Sequence, residues 1–292
     1  YNMNRKNLDF ETYWENGFLF PISIFDEKEA LSYRKELEHI EYKYNNSNLL
    51  PLPVNTYKRV NSQCVMPFSC EIALNKNILD AVEKIIGKDI LLWSVEFFIK
   101  EPNSKSIVSM HQDLTYWGLD DHQLQVTAWL ALSLSNKQSG CMDFVKGSFK
   151  NSILPHIDTY EDNNLLSRGQ EIEVKIKEKD RVNIILNPGE MSLHHGLTIH
   201  GSSQNNSFDR RIGVAIRYLN PKIKQIYAEK DFAILARGND KYNNFIKYDP
   251  PKSLFDEKSL NLYNKIREFQ SKALSRGVKE NVSLYQGNES VY

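Results

Sequence analysis

The chain has 292 residues, enough for one large domain or two small ones and for a core that hides about three quarters of the unfolded surface. Lys plus Arg and Asp plus Glu are both 37, so the formal net charge is zero, and neither the basic excess of a nucleic-acid binder nor that of a polybasic membrane-surface protein is present. Apolar residues make up 41% and charged residues 25%, a soluble globular composition, and the longest apolar runs, 90–93 and 128–132, are far too short to span a bilayer. No nucleic-acid or membrane partner is expected, and the oligomeric state is not legible.

Cys64, Cys70 and Cys141 form no CxxC pair, and their number is odd. Reduced thiols are expected rather than a disulfide scaffold or a finger-like zinc site. No charged-then-apolar segment opens the chain, so the expected location is cytoplasmic.

In chain order, residues 27–43 carry Leu31, Leu37 and Ile40 among many charges, the spacing of an amphipathic helix. Pro51 and Pro53 then point to extended structure. A second helix is expected over 78–86, stopped by Gly87. The character then changes. Ile90–Lys100 is apolar, β-branched and aromatic, and Pro102 ends it. Further strands are expected over 125–134, 141–145, 171–176, 182–186, 190–194 and 211–219, separated by Gly, Pro, Asn and Ser. Many short strands at this spacing suggest a sandwich or barrel rather than a parallel sheet. Residues 254–274 return to helical spacing through Leu260, Tyr263, Ile266 and Phe269. The expected plan is a single domain over 1–292: helices in 5–87, a mostly β core in about 88–220, and helices in 221–292.

Seven histidines offer the chemistry: His39, His111, His122, His156, His194, His195 and His200. On a strand, residues i and i+2 share a face, so a His-x-Asp/Glu pair can bind one metal ion together. A third ligand from a distant strand completes a facial triad, which leaves positions open on non-haem Fe(II). Three pairs exist. His39 and Glu41 lie in the charged helix, where i and i+2 do not face each other, and read as surface. His156 and Asp158 sit in a polar connection and read as solvated. His111 and Asp113 follow the strongest strand and precede another, flanked by Leu114, Tyr116 and Trp117. Their alternative is a core histidine hydrogen-bonded to its neighbouring aspartate. Downstream, residues 187–202 read as turn, strand, tight turn and short strand, ending at His200 and Ser202. Arg211 opens a returning strand eleven residues after His200, and arginine suits two-point binding of a carboxylate.

Taken together, His111-Gln-Asp113, Gly140-Cys-Met142, Gly147-Ser-Phe149, Ile199-His-Gly-Ser202 and Arg211 resemble the phytanoyl-CoA dioxygenase-like proteins. These are Fe(II)- and 2-oxoglutarate-dependent oxygenases with a double-stranded β-helix core, a jelly-roll or cupin-like barrel. The resemblance covers about 90–220. It implies that His111, Asp113 and His200 hold iron, and that Arg211 and Ser202 clamp the distal carboxylate of 2-oxoglutarate. It places Trp129 and Gln112 on the cosubstrate pocket, although a tryptophan on a strand is more often simply core. Dioxygen would be the second cosubstrate. In the family's halogenases a small residue replaces the aspartate, so Asp113 favours hydroxylation.

Tyr116, Trp117, Arg168 and His194 are candidate substrate contacts. Their bland readings are a barrel cap for the two aromatics, an exposed loop cation for Arg168 and a satisfied core histidine for His194. Strand alternation allows only one of His194 and His195 to face inward. The resulting expectation is hydroxylation of an unactivated C–H bond in a small polar metabolite, such as an amino acid, an aminophosphonate or a natural-product intermediate. Ring closure, desaturation or epimerisation would use the same residues. Two other classes compete: a non-catalytic β-barrel that binds or senses a metabolite, and a cupin-type metal-dependent isomerase or hydrolase. The intact residue set counts against the first, and the second leaves Arg211 without an assigned partner.

Overall fold

From α1 (Glu11–Asn16) the chain enters strand β1 (Phe18–Ser23) and then four helices, α2 (Glu27–Tyr44), α3 (Val54–Arg59), α4 (Pro67–Ala73) and α5 (Lys76–Ile86). Strands β2 (Ile90–Lys100), β3 (Val108–His111), β4 (Gln125–Ala131), β5 (Met142–Val145), β6 (His156–Asp158) and β7 (Gln170–Ile172) follow. After them come β8 (Arg181–Ile184), β9 (Glu190–His194), β10 (His200–Ser202), β11 (Arg211–Leu219), β12 (Phe232–Arg237), β13 (Ile246–Lys247) and helix α6 (Glu257–Leu274). The computed structural model describes residues 9–274 apart from 46, 116, 160–162, 167–169, 174–175 and 227–229.

The helices begin where local chemistry satisfies their first amides. Asp26 accepts from the Glu29 amide at 2.8 Å, and Glu29 accepts in return from the Asp26 amide at 3.0 Å, a capping box that starts α2. Its buried side is Ala30, Leu37, Ile40 and Glu41, whereas Leu31 points outward. Pro53 does not lead into extended chain; it sits immediately before α3, with its ring in the backbone geometry that suits a helix start. In α5 the apolar stripe Ile78, Leu79, Val82, Ile85 and Ile86 is buried. Burying such a side chain is worth about 1.5–3 kcal/mol.

Two sheets make the β core. The larger has the order β1-β9-β4-β11-β2-β12-β13, and the smaller has the order β3-β10-β5-β8. This is a mostly β jelly-roll core with flanking helices. β4 and β11 are buried along their whole length because both faces of the larger sheet are covered. Val126, Ala128, Leu130, Ile212, Val214 and Ile216 pack toward the helices, in one cluster with residues of α2 to α5. The alternate residues Trp129, Ala131 and Ala215 pack against Met142, Phe144 and Ile184 of the smaller sheet. Alternation of period two therefore sends Arg211, Gly213, Ala215 and Arg217 into the space between the sheets.

The long strands fall where the sequence puts them. β1, β3, β6, β12 and β13 were not expected, and β1 carries Pro21, which an edge strand tolerates; β1 pairs with β9 alone. Glu41 corrects the surface reading of its pair. It is buried and paired with Lys58 and with Arg210, while His39 stays exposed. Cys64, Cys70 and Cys141 are free and buried.

Candidate active site

His111 ends β3, Asp113 opens the short turn after it, and His200 opens β10 beside β3. Antiparallel pairing makes His200 the register partner of His111. One ligand atom from each of the three residues lies within 4.8 Å of the others, and all three residues are buried.

The ring nitrogens are sorted by backbone contacts. His111 Nδ1 donates to the Ser109 carbonyl at 2.9 Å, and His200 Nδ1 donates to the Thr198 carbonyl at 2.9 Å. Each Nε2 is thereby left to present a lone pair to the site. His111 Nε2 lies 3.2 Å from Asp113 Oδ1, and His200 Nε2 lies 3.9 Å from the same oxygen. Two acceptors at 3.2 Å repel unless a cation stands between them, either a second ring proton or a metal ion. Burial and then the neighbouring His111 push His200 down to about 4, so its imidazole is neutral at physiological pH. Burial raises the Asp113 carboxyl, but the His111 contact and the nearby His200 and Arg217 outweigh it and hold the group below the usual carboxylate range. Two imidazoles and one carboxylate on adjacent elements fit a divalent first-row metal.

The motif residues around the triad hold it in place. Ser148 Oγ donates to the Val145 carbonyl at 2.7 Å and accepts from the Ile199 amide at 2.8 Å, which fixes the approach to His200. Gly140 has φ +69°, and a Cβ there would lie 2.3 Å from the Ser203 carbonyl oxygen. Its own carbonyl accepts from Arg211 Nη1 at 2.8 Å.

Arg211 is 1% exposed and lies over Trp129, 5.3 Å from the ring centre. Its Nε has no partner, and among the described residues no carboxylate pairs with it. Burial lowers the guanidinium to about 10, so it keeps its charge at neutral pH. With the triad, Ser202 and Trp129 it lines one cleft that opens to solvent.

The other expected residues are distributed as follows. Ser202 lines the cleft and its hydroxyl accepts from Lys100 Nζ at 2.7 Å. Gln112 does not line it. Its amide nitrogen donates to the Leu197 carbonyl at 2.9 Å and its amide oxygen accepts from the Leu154 amide at 2.8 Å, so it ties two loops together behind the triad. Trp117 is also outside the lining; it packs on Trp93 at 5.3 Å and lies under the Arg217 guanidinium at 5.1 Å. His194 faces the cleft, whereas His195 is buried against Phe149 and accepts from the Leu197 amide. Tyr116 and Arg168 lie outside the described residues. His156 is not merely solvated: its Nε2 accepts from the Gln112 amide at 3.0 Å.

Lys100, Thr127 and Arg217 escaped the sequence reading. Lys100 ends β2 and is fully buried, opposite Arg211. Its ammonium also donates to the Ser202 and Ser203 carbonyls. Arg217 was detectable, since alternation along β11 puts it on the same face as Arg211.

Comparison with known proteins agrees with this architecture. A family model described as phytanoyl-CoA dioxygenase (PhyH) matches residues 13–213. The human peroxisomal phytanoyl-CoA dioxygenase is 25% identical over 231 residues, 70% of this chain and 66% of that protein, so the match spans just under two thirds of the human enzyme. A probable alpha-ketoglutarate-dependent hypophosphite dioxygenase of Stutzerimonas stutzeri is 27% identical over 147 residues, 49% of this chain and 50% of that protein. Among solved structures, the non-heme monooxygenase ThoJ in its apo form superposes with a TM-score of 0.81 at 30% identity, covering 90% of this chain and 96% of ThoJ. The fold is that of the iron- and 2-oxoglutarate-dependent dioxygenases. The chain belongs to the phytanoyl-CoA dioxygenase family. Among the described residues no helix is long and apolar enough to cross a membrane.

Proposed function

We propose that this protein hydroxylates an unactivated C–H bond of a small polar metabolite, with Fe(II) held by His111, Asp113 and His200 and 2-oxoglutarate held by Arg211. The observation that carries the reading is Arg211: a buried, charged guanidinium with no carboxylate partner among the described residues faces the same cleft as the triad. Such a charge is costly to bury unpaired, and the distal carboxylate of 2-oxoglutarate supplies the missing anion.

Each residue has a defined task. His111 and His200 offer Nε2 because their Nδ1 atoms are committed to backbone carbonyls. Asp113 brings the negative charge that favours a divalent ion. Arg211 binds the cosubstrate carboxylate with a fork of donors, and Ser202, oriented by Lys100, adds a hydroxyl. Trp129 walls that end and keeps water from the ion pair, which strengthens it. When bound, iron with 2-oxoglutarate and dioxygen supplies the oxidising power, and the cosubstrate leaves as succinate and carbon dioxide. The cleft is lined by apolar side chains with a few polar groups among them, Thr127, His194 and Arg217 beyond the triad, which suits a small ligand with a few hydrogen-bonding groups.

The test is conversion of 2-oxoglutarate to succinate by the Fe(II)-loaded protein, with amino acids, aminophosphonates and natural-product intermediates as candidate substrates. Stimulated succinate release together with a product heavier by one oxygen atom supports the reading. Absence of 2-oxoglutarate binding in the Fe(II)-loaded wild type removes it.

A further inference from the structure

Beyond the triad the cleft continues into a second polar row. His194 of β9 is the register partner of Thr127 in β4, and Thr127 is the partner of Arg217 in β11. The three side chains therefore stand abreast on the inner face, and all three line the cleft. His194 and Thr127 are each 1% exposed and Arg217 is 9% exposed. Among the described residues each of the three keeps side-chain atoms without a hydrogen-bond partner: His194 Nδ1 and Nε2, Thr127 Oγ1 and Arg217 Nε. The Asp113 oxygen nearest to His194 Nε2 is 3.9 Å away, beyond hydrogen-bond reach.

Buried polar atoms are nearly always partnered, because an unmade hydrogen bond carries the full desolvation penalty. Four such atoms in one row, beside a candidate metal site, are polar capacity held for a ligand. Arg217 shows how the row is kept ready. Glu96 grips its Nη1 at 2.7 Å and fixes the guanidinium, while Nε stays without a partner. A ring N–H of His194, the Thr127 hydroxyl and Arg217 Nε–H are all donors, and an oxyanion offers the several acceptor lone pairs they need.

Resting on the oxygenase reading above, we propose that His194, Thr127 and Arg217 form the substrate subsite, and that it anchors an oxyanion of the substrate, a carboxylate or a phosphonate. This anion is distinct from the cosubstrate carboxylate. Arg217 lies six residues beyond Arg211 on one strand, roughly 20 Å at about 3.3 Å per residue. The His194 and His200 rings are 4.9 Å apart, so carbons next to the anchored group lie close to the metal.

The experiment uses protein loaded with 2-oxoglutarate and Mn(II), which occupies the cosubstrate site without turnover. Melting temperature is followed while butyrate, propylphosphonate or the neutral isostere butyramide is added. We expect a saturable rise with one or both anions and none with butyramide, and the two anions tell carboxylate from phosphonate. Thr127→Val and Arg217→Gln should each weaken the anion's apparent affinity about tenfold, the scale of one charge-assisted hydrogen bond. Arg217→Gln can fail to fold because Glu96 loses its partner, so Thr127→Val decides. Without ligand it should melt no lower than wild type, since its hydroxyl has no partner to lose. An equal response to butyramide, no response to either anion, or an unchanged anion affinity in Thr127→Val overturns the subsite. A separate arm follows the visible charge-transfer band of the Fe(II) form with 2-oxoglutarate. If the band forms but the anions have no effect, only the subsite fails; if it does not form, the oxygenase reading fails.

Discussion

His200 lies directly across the strand pair from His111, and each histidine donates Nδ1–H to the carbonyl two residues before it, at Ser109 and Thr198. The same local device on two paired strands turns both Nε2 atoms toward Asp113. Ligand orientation is built into the backbone before any ion arrives, so little conformational freedom is lost on binding.

His111→Ala and His200→Ala should therefore each lose metal while keeping the fold, because each gives up one hydrogen bond to a backbone carbonyl, a cost of about 1–3 kcal/mol. Metal content after dialysis, read by elemental analysis, should drop from one divalent ion per chain to a small fraction. Asp113→Gly should lose hydroxylation as well. Retained metal in both histidine variants would mean that the ion sits elsewhere.

Arg211 and Arg210 should separate binding from stability. Arg211→Ala removes two charge-assisted hydrogen bonds of about 1.5 kcal/mol or more each, so the dissociation constant for 2-oxoglutarate should rise roughly a hundredfold or more. Arg211→Lys keeps the charge without the fork and should lie between. Arg210 turns the other way, onto Glu41 and Glu101. Its alanine variant should bind 2-oxoglutarate normally yet lose about 2–4 kcal/mol of folding stability, because Glu41 remains buried with fewer partners. Calorimetric titration and denaturant melts of the same three proteins check both halves.

Gly213 makes room for Trp129. A Cβ at this position would lie 1.8 Å from the indole, so Gly213→Ala must displace a ring that walls the cosubstrate end. We expect about 1–3 kcal/mol of destabilisation together with weakened 2-oxoglutarate binding. Unchanged affinity would show that Trp129 does not shape that end.

Lys100 should leave a pH signature. Burial, and then the charge of Arg211, pushes its ammonium down to about 5, well under its ordinary value. Between that pH and the ordinary lysine range the unfolded chain binds one more proton than the folded chain, so this group makes stability rise with pH. Lys100→Met removes the contribution. Its stability relative to wild type should be greatest near pH 5 and should decline by up to about 1.4 kcal/mol per pH unit as pH rises. Denaturant melts from pH 5 to 9 check it; parallel curves would show that Lys100 stays charged in the fold, satisfied by Ser202 and Ser203.

Much of this was legible along the chain. The strands 90–100 and 211–219 announced themselves because apolar and β-branched residues persist where a sheet is covered on both faces. β1 did not, since an edge strand with a proline carries little periodic signal. α3 was hidden by Pro53, which reads as a breaker until the chain around it shows that it stands at a helix start. Glu41 looked like one more charge on a charged helix, and nothing local reveals that Lys58 and Arg210 close over it.

The sequence by itself determined the class of chemistry: a His-x-Asp pair, a distant His-Gly-Ser and a following arginine name the residue types that a metal and a dicarboxylate need, and strand alternation decides which of them share a face. Tertiary structure alone decided what lies around them. Gln112 was assigned to the pocket by position, yet its amide is spent on Leu154 and Leu197. Thr127, His194 and Arg217 come from three separate stretches and meet only because β9, β4 and β11 pair in a particular register. Register across strands depends on which sheet neighbours the chain finds, and no single stretch of sequence carries that information.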